Sequence, residues 1–277
     1  MLADDELRRG DPRAALSHLQ ELVRRDPAST AWRVYLFQLL SVLGEWERAG
    51  TQLAVLSEMD KSAGFMAQAY AELLRCELIR GEVFAGRRAP MILGGPEPWM
   101  ALMIQAALLD GQGRHSEAVP LRAQALEDAP AAPGRLDDQP FGWIADGDSR
   151  LGPLLEAVVH GTYYWVPFAR IRRVAFDAPA DLRDVVWMPT QFLWSNGGEA
   201  VGFVPTRYPG SESSDDGLIQ LARRTEWREV ASGTWFGLGQ KMLATDVGES
   251  AVMDVRRIEM DVATPTGEAK AAPVSGL

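Results

Sequence analysis

The sequence predicts an α+β protein: an N-terminal helical repeat domain followed by a β-rich C-terminal domain. The second domain reads as a small twisted sheet or partly open barrel with one or two helices. Three observations carry this prediction. A glycine–alanine spacing recurs in the first half at a 34-residue step, Gly10 to Gly44. Helical periodicity then fades across a Pro/Gly/Ala-rich stretch, Ala129 to Pro140. Beyond it come short runs of β-branched and aromatic residues separated by turn formers, with six of the nine tryptophans. The expected boundaries are 1–132 for the helical domain, 140–261 for the β-rich domain and 262–277 for a mobile tail.

The repeat is visible in three segments. Gly10, Gly44 and Gly113 are each followed five residues later by alanine (Ala15, Ala49, Ala118), and twelve residues later by Leu22, Leu56 and Ala125. Pro27 and Pro130 close the first and third segments. A glycine takes φ > 0 between antiparallel helices, an alanine lets them approach, and a proline stops the second one. This period and pattern resemble the tetratricopeptide repeat. Between the segments, Ala63–Gly81 reads as a helix, with Phe65, Ala69, Leu73, Cys76 and Ile79 near 3.6-residue spacing. Trp99–Leu109 reads as another. The middle repeat is irregular, since Gly81 is displaced and Gly94-Gly95-Pro96 interrupts the pattern. Such arrays leave a groove lined by the first helix of each pair. Trp32, Tyr35, Phe65, Tyr70, Trp99 and Met103 are the candidate groove residues, with core packing as the alternative use of the same side chains.

In the second half, Leu151–His160 reads as a short helix capped by Asp148-Ser149. Strands are expected at Tyr163–Phe168, Val185–Trp194, Ala200–Val204, Thr225–Val230, Trp235–Leu238 and Val252–Met260. Asn196-Gly197-Gly198 is a hairpin signal. Asp216–Arg223 reads as a helix.

The formal charge is −10, from 38 acidic and 28 basic residues, and it divides about equally at Gln139. No cationic stripe exists to replace the counterions of a nucleic acid or to meet an anionic membrane. A single cysteine, Cys76, excludes an internal disulfide and a multi-cysteine metal site, and its apolar setting predicts a buried, inert thiol. The acidic N-terminus does not read as a secretion signal, and the apolar run Pro98–Leu109 is too short to span a bilayer. A cytoplasmic protein without membrane insertion is expected.

No catalytic motif emerges. His18, His115 and His160 have no ligand partner at i+3 or i+4, so no metal site is expected. Asp146-Gly147-Asp148 begins like a calcium loop, but Arg150 takes the next ligand position. Gly237-Leu-Gly239-Gln-Lys241 lacks phosphate-loop spacing. Asp146, Asp148, Arg150, Arg183, Asp184 and Arg207 either converge on a polar site or hold loops as ion pairs. No cofactor is expected.

Several motifs occur in order behind the repeats: Asp146-Gly-Asp-Ser-Arg150-Leu-Gly152-Pro, Gly161-Thr-Tyr163-Tyr-Trp165-Val-Pro167-Phe, and Pro179-Ala-Asp-Leu-Arg183-Asp184. Arg207-Tyr208-Pro-Gly-Ser-Glu, Thr225-Glu-Trp227 and Gly237-Leu-Gly239-Gln-Lys-Met-Leu follow them. Together they resemble the ImpE/TagJ (SciE-type) family over nearly the whole chain, to about Met260. The resemblance implies an accessory component of bacterial type VI secretion, a virulence-associated contractile machine. It implies a non-enzymatic adaptor that binds the N-terminal helix of the small sheath subunit, TssB, and influences sheath handling by the ClpV ATPase indirectly. The motif residues are then expected to be structural, and Trp32 and Tyr35 to contribute to helix binding. Two other readings stay open: an enzyme with a polar site around Asp146, Asp148 and Arg207, and a general repeat-type peptide adaptor.

Overall fold

The computed structural model describes residues 2–261. Among them, the helical half comprises α1 (Leu2–Arg9), α2 (Pro12–Arg25), α3 (Thr30–Val42), α4 (Trp46–Met59), α5 (Gly64–Phe84), α6 (Pro98–Gly111) and α7 (His115–Asp128). A short strand, β1 (Met91–Ile92), lies between α5 and α6. The β-rich half comprises β2 (Gly134–Leu136), β3 (Gln139–Phe141), β4 (Ile144–Asp146), β5 (Leu154–Val159), β6 (Thr162–Pro167), β7 (Ile171–Phe176), β8 (Trp187–Trp194) and β9 (Glu199–Pro205). It continues through the single-turn α8 (Gly217–Gln220), β10 (Thr225–Ala231), β11 (Thr234–Gly239), β12 (Met242–Thr245), β13 (Gly248–Ala251) and β14 (Arg257–Met260).

The repeat chemistry acts as its residue types dictate. Gly10, Gly44 and Gly113 have φ of +84°, +69° and +76°. Ala15, Ala49 and Ala118 are fully buried where consecutive helices meet. Asp11 starts α2 by accepting from Ala14 N at 2.8 Å, with Pro12 in the first turn. Gly113→Ala meets open space and costs only the left-handed strain, about 1 kcal/mol. Gly44→Ala also drives a Cβ to 2.4 Å from Glu212 Cγ. It is expected to cost about 2 kcal/mol or more by urea unfolding.

The larger sheet runs β1-β6-β5-β9-β8-β7-β14-β2-β3 and is antiparallel except for β1 on β6. It is open, with β1 and β3 at its ends, and does not close into a barrel. A three-stranded sheet β13-β12-β4 and the β10–β11 hairpin complete the half. The Asn196-Gly197-Gly198 turn joins β8 to β9, with Gly197 at φ +87°.

Three local expectations change. Leu151–His160 is no helix: Leu154–Val159 is strand β5, buried at every position. A strand covered on both faces shows no polar alternation and reads like a buried helix. The connection expected over Ala129 to Pro140 contains β2 and the start of β3, which close one end of the large sheet. Of Val252–Met260 only Arg257–Met260 is strand, and the Asp216–Arg223 helix shortens to Gly217–Gln220 with Asp216 as its cap. The segment expected as a tail, 262–277, lies outside the described residues.

The period-2 geometry of β5 and β6 explains where the core sits. Leu154, Val158, Tyr163 and Trp165 face the helices and join one core with Phe37, Tyr70, Trp99 and Met103. Leu155, Ala157, Val159 and Val166 face the other way and join a second core with Val174, Met188, Phe192 and Leu243. The large sheet is thus packed on both faces. Its helix-facing side fills the space that a repeat array leaves open, with β6 against α5 and the 3-10 turn Leu182–Val185 against α3.

Candidate functional site

The seam between array and sheet is held by buried charge. Glu156 on β5, fully buried, accepts from Arg80 Nε at 2.6 Å, Arg80 Nη2 at 2.9 Å and Tyr163 OH at 2.5 Å. Lys241 Nζ lies 2.8 Å from the second Glu156 oxygen and 2.7 Å from Asp146. Arg80 also reaches Glu77, whose other oxygen accepts from Trp187 Nε1 at 2.9 Å. Burial alone would raise Glu156, but Arg80 and Lys241 overcome it and hold the carboxyl well below the usual range. Burial raises Glu77 and Asp146, which each share a single cation.

The six residues considered for a polar site are all engaged. Asp146 belongs to this network. Asp148 takes Arg150 Nε at 2.8 Å, Arg150 Nη2 at 2.5 Å and Gly237 N at 2.8 Å. Arg183 pairs with Asp181 and lies over the Tyr70 ring, while Asp184 accepts from Ala180 N and Asp181 N. Arg207 meets no carboxylate: it donates to Val42 O at 2.7 Å and Gln220 O at 2.5 Å, the last carbonyls of α3 and α8. Burial lowers Arg207 to about 10, yet helix C-termini offer it partial negative charge. Arg207→Met orphans these carbonyls and is expected to cost about 2–4 kcal/mol by urea unfolding, with Arg207→Lys recovering part.

The remaining motif residues are packing and turn elements. Tyr163 and Trp165 are buried at the seam, linked by a 2.7 Å Trp165 Nε1 to Tyr163 OH hydrogen bond. Pro167 ends β6, and Gly152 takes φ +51° in the turn before β5. Tyr208 lies between Lys241 and the Trp227 ring. Gly239 has φ +92°, and an added Cβ would lie 1.9 Å from Arg224 O. Arg80, Glu77, Glu156 and Lys241 were not singled out as site residues. Only Glu156 carried a signal, a single charge inside the apolar run Leu154–Val159; Glu77 and Arg80 stand among Glu72, Arg75 and Glu82 on a charge-bearing helix.

The candidate groove residues separate. Tyr70, Trp99 and Met103 are buried under the sheet and cannot line an open groove. Trp32 and Tyr35 are half-buried on α3, and Tyr35 OH donates to Asp4 Oδ1 at 2.6 Å. Phe65 is 90% exposed. It stands on one face of α5 with Ala69, Glu72 and Leu73, at i, i+4, i+7 and i+8. This face borders an open groove of about 340 Å³ between α5 and the β5, β8 and β9 strands. Leu73, Val158 and Phe203 form its apolar floor, Val201, 72% exposed, stands on its β9 side, and Glu72 and Asp177 add carboxylates. From Glu199 to Val201, ahead of Gly202, β9 has no β5 partner and pairs only with β8, so that edge opens beside the groove. Val201 and Phe203 were hidden in a strand run that gave no hint of what β9 faces.

Among the described residues, no group of three or more His, Cys, Asp or Glu is placed to hold a metal ion. No helix among them is long and apolar enough to cross a membrane.

Two families match separate stretches of the chain. Residues 6–73 match the tetratricopeptide repeat family and residues 138–259 match the family described as ImpE protein. The crystal structure of VPA1032 from Vibrio parahaemolyticus superposes with a TM-score of 0.86 at 24% identity, covering 94% of this chain and 97% of that one, which shows a shared fold. The type VI secretion system accessory component TagJ of Pseudomonas aeruginosa is 45% identical over 261 residues, 94% of this chain and 92% of the relative. With that identity over nearly its full length, the chain belongs to the ImpE/TagJ family of type VI secretion accessory components.

Proposed function

We propose that the protein is a non-enzymatic adaptor that captures the N-terminal amphipathic helix of the small contractile-sheath subunit, TssB, in the α5–β9 groove. Through that contact it influences how the ClpV ATPase handles the sheath. The observation that carries this reading is the pairing of Phe65 and Val201. They are the two most exposed of the large exposed hydrophobics among the described residues; Val201 lines the groove, and Phe65 lies on the α5 face whose Ala69, Glu72 and Leu73 line it. Exposed apolar side chains gathered at a concave surface mark a binding site. An amphipathic helix offers anchors at i, i+3, i+4 and i+7 to such a groove. Glu72 and Asp177 favour a helix with basic residues on its flanks. A non-enzymatic role is supported by the engagement of all six polar candidates in ion pairs, caps and carbonyl contacts.

The test is a fluorescence-anisotropy titration of a labelled peptide spanning the first helix of TssB. Saturable binding is expected, and a scrambled peptide of the same composition should not bind. Absence of saturation at the peptide's solubility limit, with folded protein, would overturn the proposal. Pull-down from cells distinguishes this partner from a general peptide-adaptor role.

A further inference from the structure

A second cavity, about 480 Å³, lies along the C-terminal half of α5, against the loop that carries Pro209, Gly210 and Glu212. It shares no residue with the groove. Trp46, Leu78, Phe84 and Pro209 supply apolar wall, and the rest of the lining is mostly charged. Most of that charge is spent internally. Glu77 and Arg80 belong to the seam network, and Glu82 and Arg87 chelate each other at the exposed rim. Two half-buried or buried groups are left over. Arg150 is about nine-tenths buried, clamped between Phe84 and Phe236, with Nε and Nη2 on Asp148. Its Nη1 has no hydrogen-bond partner among the described residues and is not sealed from solvent. Arg150 lines the cleft, and Nη1 is its one guanidinium nitrogen without an internal partner. Glu212, half-buried on the opposite loop, feels the charge of Arg207, but its carboxylate makes no hydrogen bond or ion pair there.

An open guanidinium edge and an open carboxylate in one cleft fit a ligand whose acceptor and donor are adjacent. We propose that this cleft binds an α-carboxylate with a neighbouring N–H, the group shared by a polypeptide C-terminus and a free amino acid. The carboxylate meets Arg150 Nη1, the N–H meets Glu212, and an apolar side chain lies against Trp46 and Phe84. The site is independent of the groove, so its fate does not depend on TssB binding.

Ligand-observed NMR titrations of the full-length protein test it with N-acetyl-L-leucine, N-acetyl-L-leucinamide and free leucine. N-acetyl-L-leucine is expected to bind in the millimolar range usual for a ligand of its size. The amide, which lacks the carboxylate, should bind about tenfold or more weakly, the loss of one charge-assisted hydrogen bond. Preference for the acetylated ligand over leucine assigns a polypeptide C-terminus, and the reverse preference assigns a free amino acid. Arg150→Gln should abolish the discrimination against the amide. Should that variant not fold, Glu212→Gln, which breaks no internal pair, should still weaken N-acetyl-L-leucine severalfold. Equal binding of acid and amide, or no binding of either acid, overturns the proposal.

Discussion

Glu156→Gln is expected to destabilise the protein by about 3–5 kcal/mol, because it leaves two buried cations without their shared anion. Glu156 is the anion that Arg80 and Lys241 share, each cation keeping one further carboxylate in Glu77 and Asp146, and it orders Tyr163, which in turn holds Trp165. Since Arg80 comes from α5 and Glu156 from β5, the loss falls on the seam. Urea unfolding followed by tryptophan fluorescence reads it directly, as Trp165 and Trp187 lie fully buried beside the network. The acid limb gives an independent check. A carboxyl held below its unfolded value contributes stability above that value, about 4.3 for glutamate, and loses it as pH falls toward the folded value. The gap between wild type and Glu156→Gln should therefore be constant at neutral pH and narrow below about pH 4.3. Glu77 and Asp146, raised by burial, act in the opposite sense and are present in both proteins. A loss below about 1 kcal/mol would show that the network is solvated and replaceable.

The division into helical and β-rich halves was legible because local rules decide it. Glycine at φ > 0, a capped and proline-stopped helix and a turn-flanked β-branched run each leave a short-range trace. What those rules could not show is that the two halves share a core. Tyr70, Trp99 and Met103 look alike whether helices or a sheet cover them, and only the packed fold shows that the sheet does. The same blindness affected Leu154–Val159, whose two covered faces erase the alternation that would mark a strand. The local pairings of Asp148 with Arg150 and Asp181 with Arg183 lie two residues apart in the sequence, within reach of short-range reasoning. Arg80 and Glu156, separated by 75 intervening positions, meet only through topology. The open groove was half-legible: Phe65 was visible on a helix face, while Val201 and Phe203 required knowing which strand faces α5.

Phe65→Asp and Val201→Asp, singly and together, are expected to abolish capture of the TssB helix while leaving the fold intact. Both side chains are largely in solvent, so each change should move stability by no more than about 0.5 kcal/mol. In the complex, each aspartate would be desolvated against an apolar helix face without a partner, beside the existing carboxylates of Glu72 and Asp177. A buried unpaired charge and the loss of an anchor together weaken binding by about 100-fold or more. Trp32→Ala separates this site from the α3 surface first expected to bind, because Trp32 does not border the groove. It should leave affinity unchanged. Met103→Ala is the opposite control: fully buried beneath the sheet, it should cost about 2–5 kcal/mol of stability. Its effect on peptide binding should follow only the fraction unfolded. If Trp32→Ala lost binding while Phe65→Asp and Val201→Asp kept it, the helix would dock on α3 and the α5–β9 groove would not be its site.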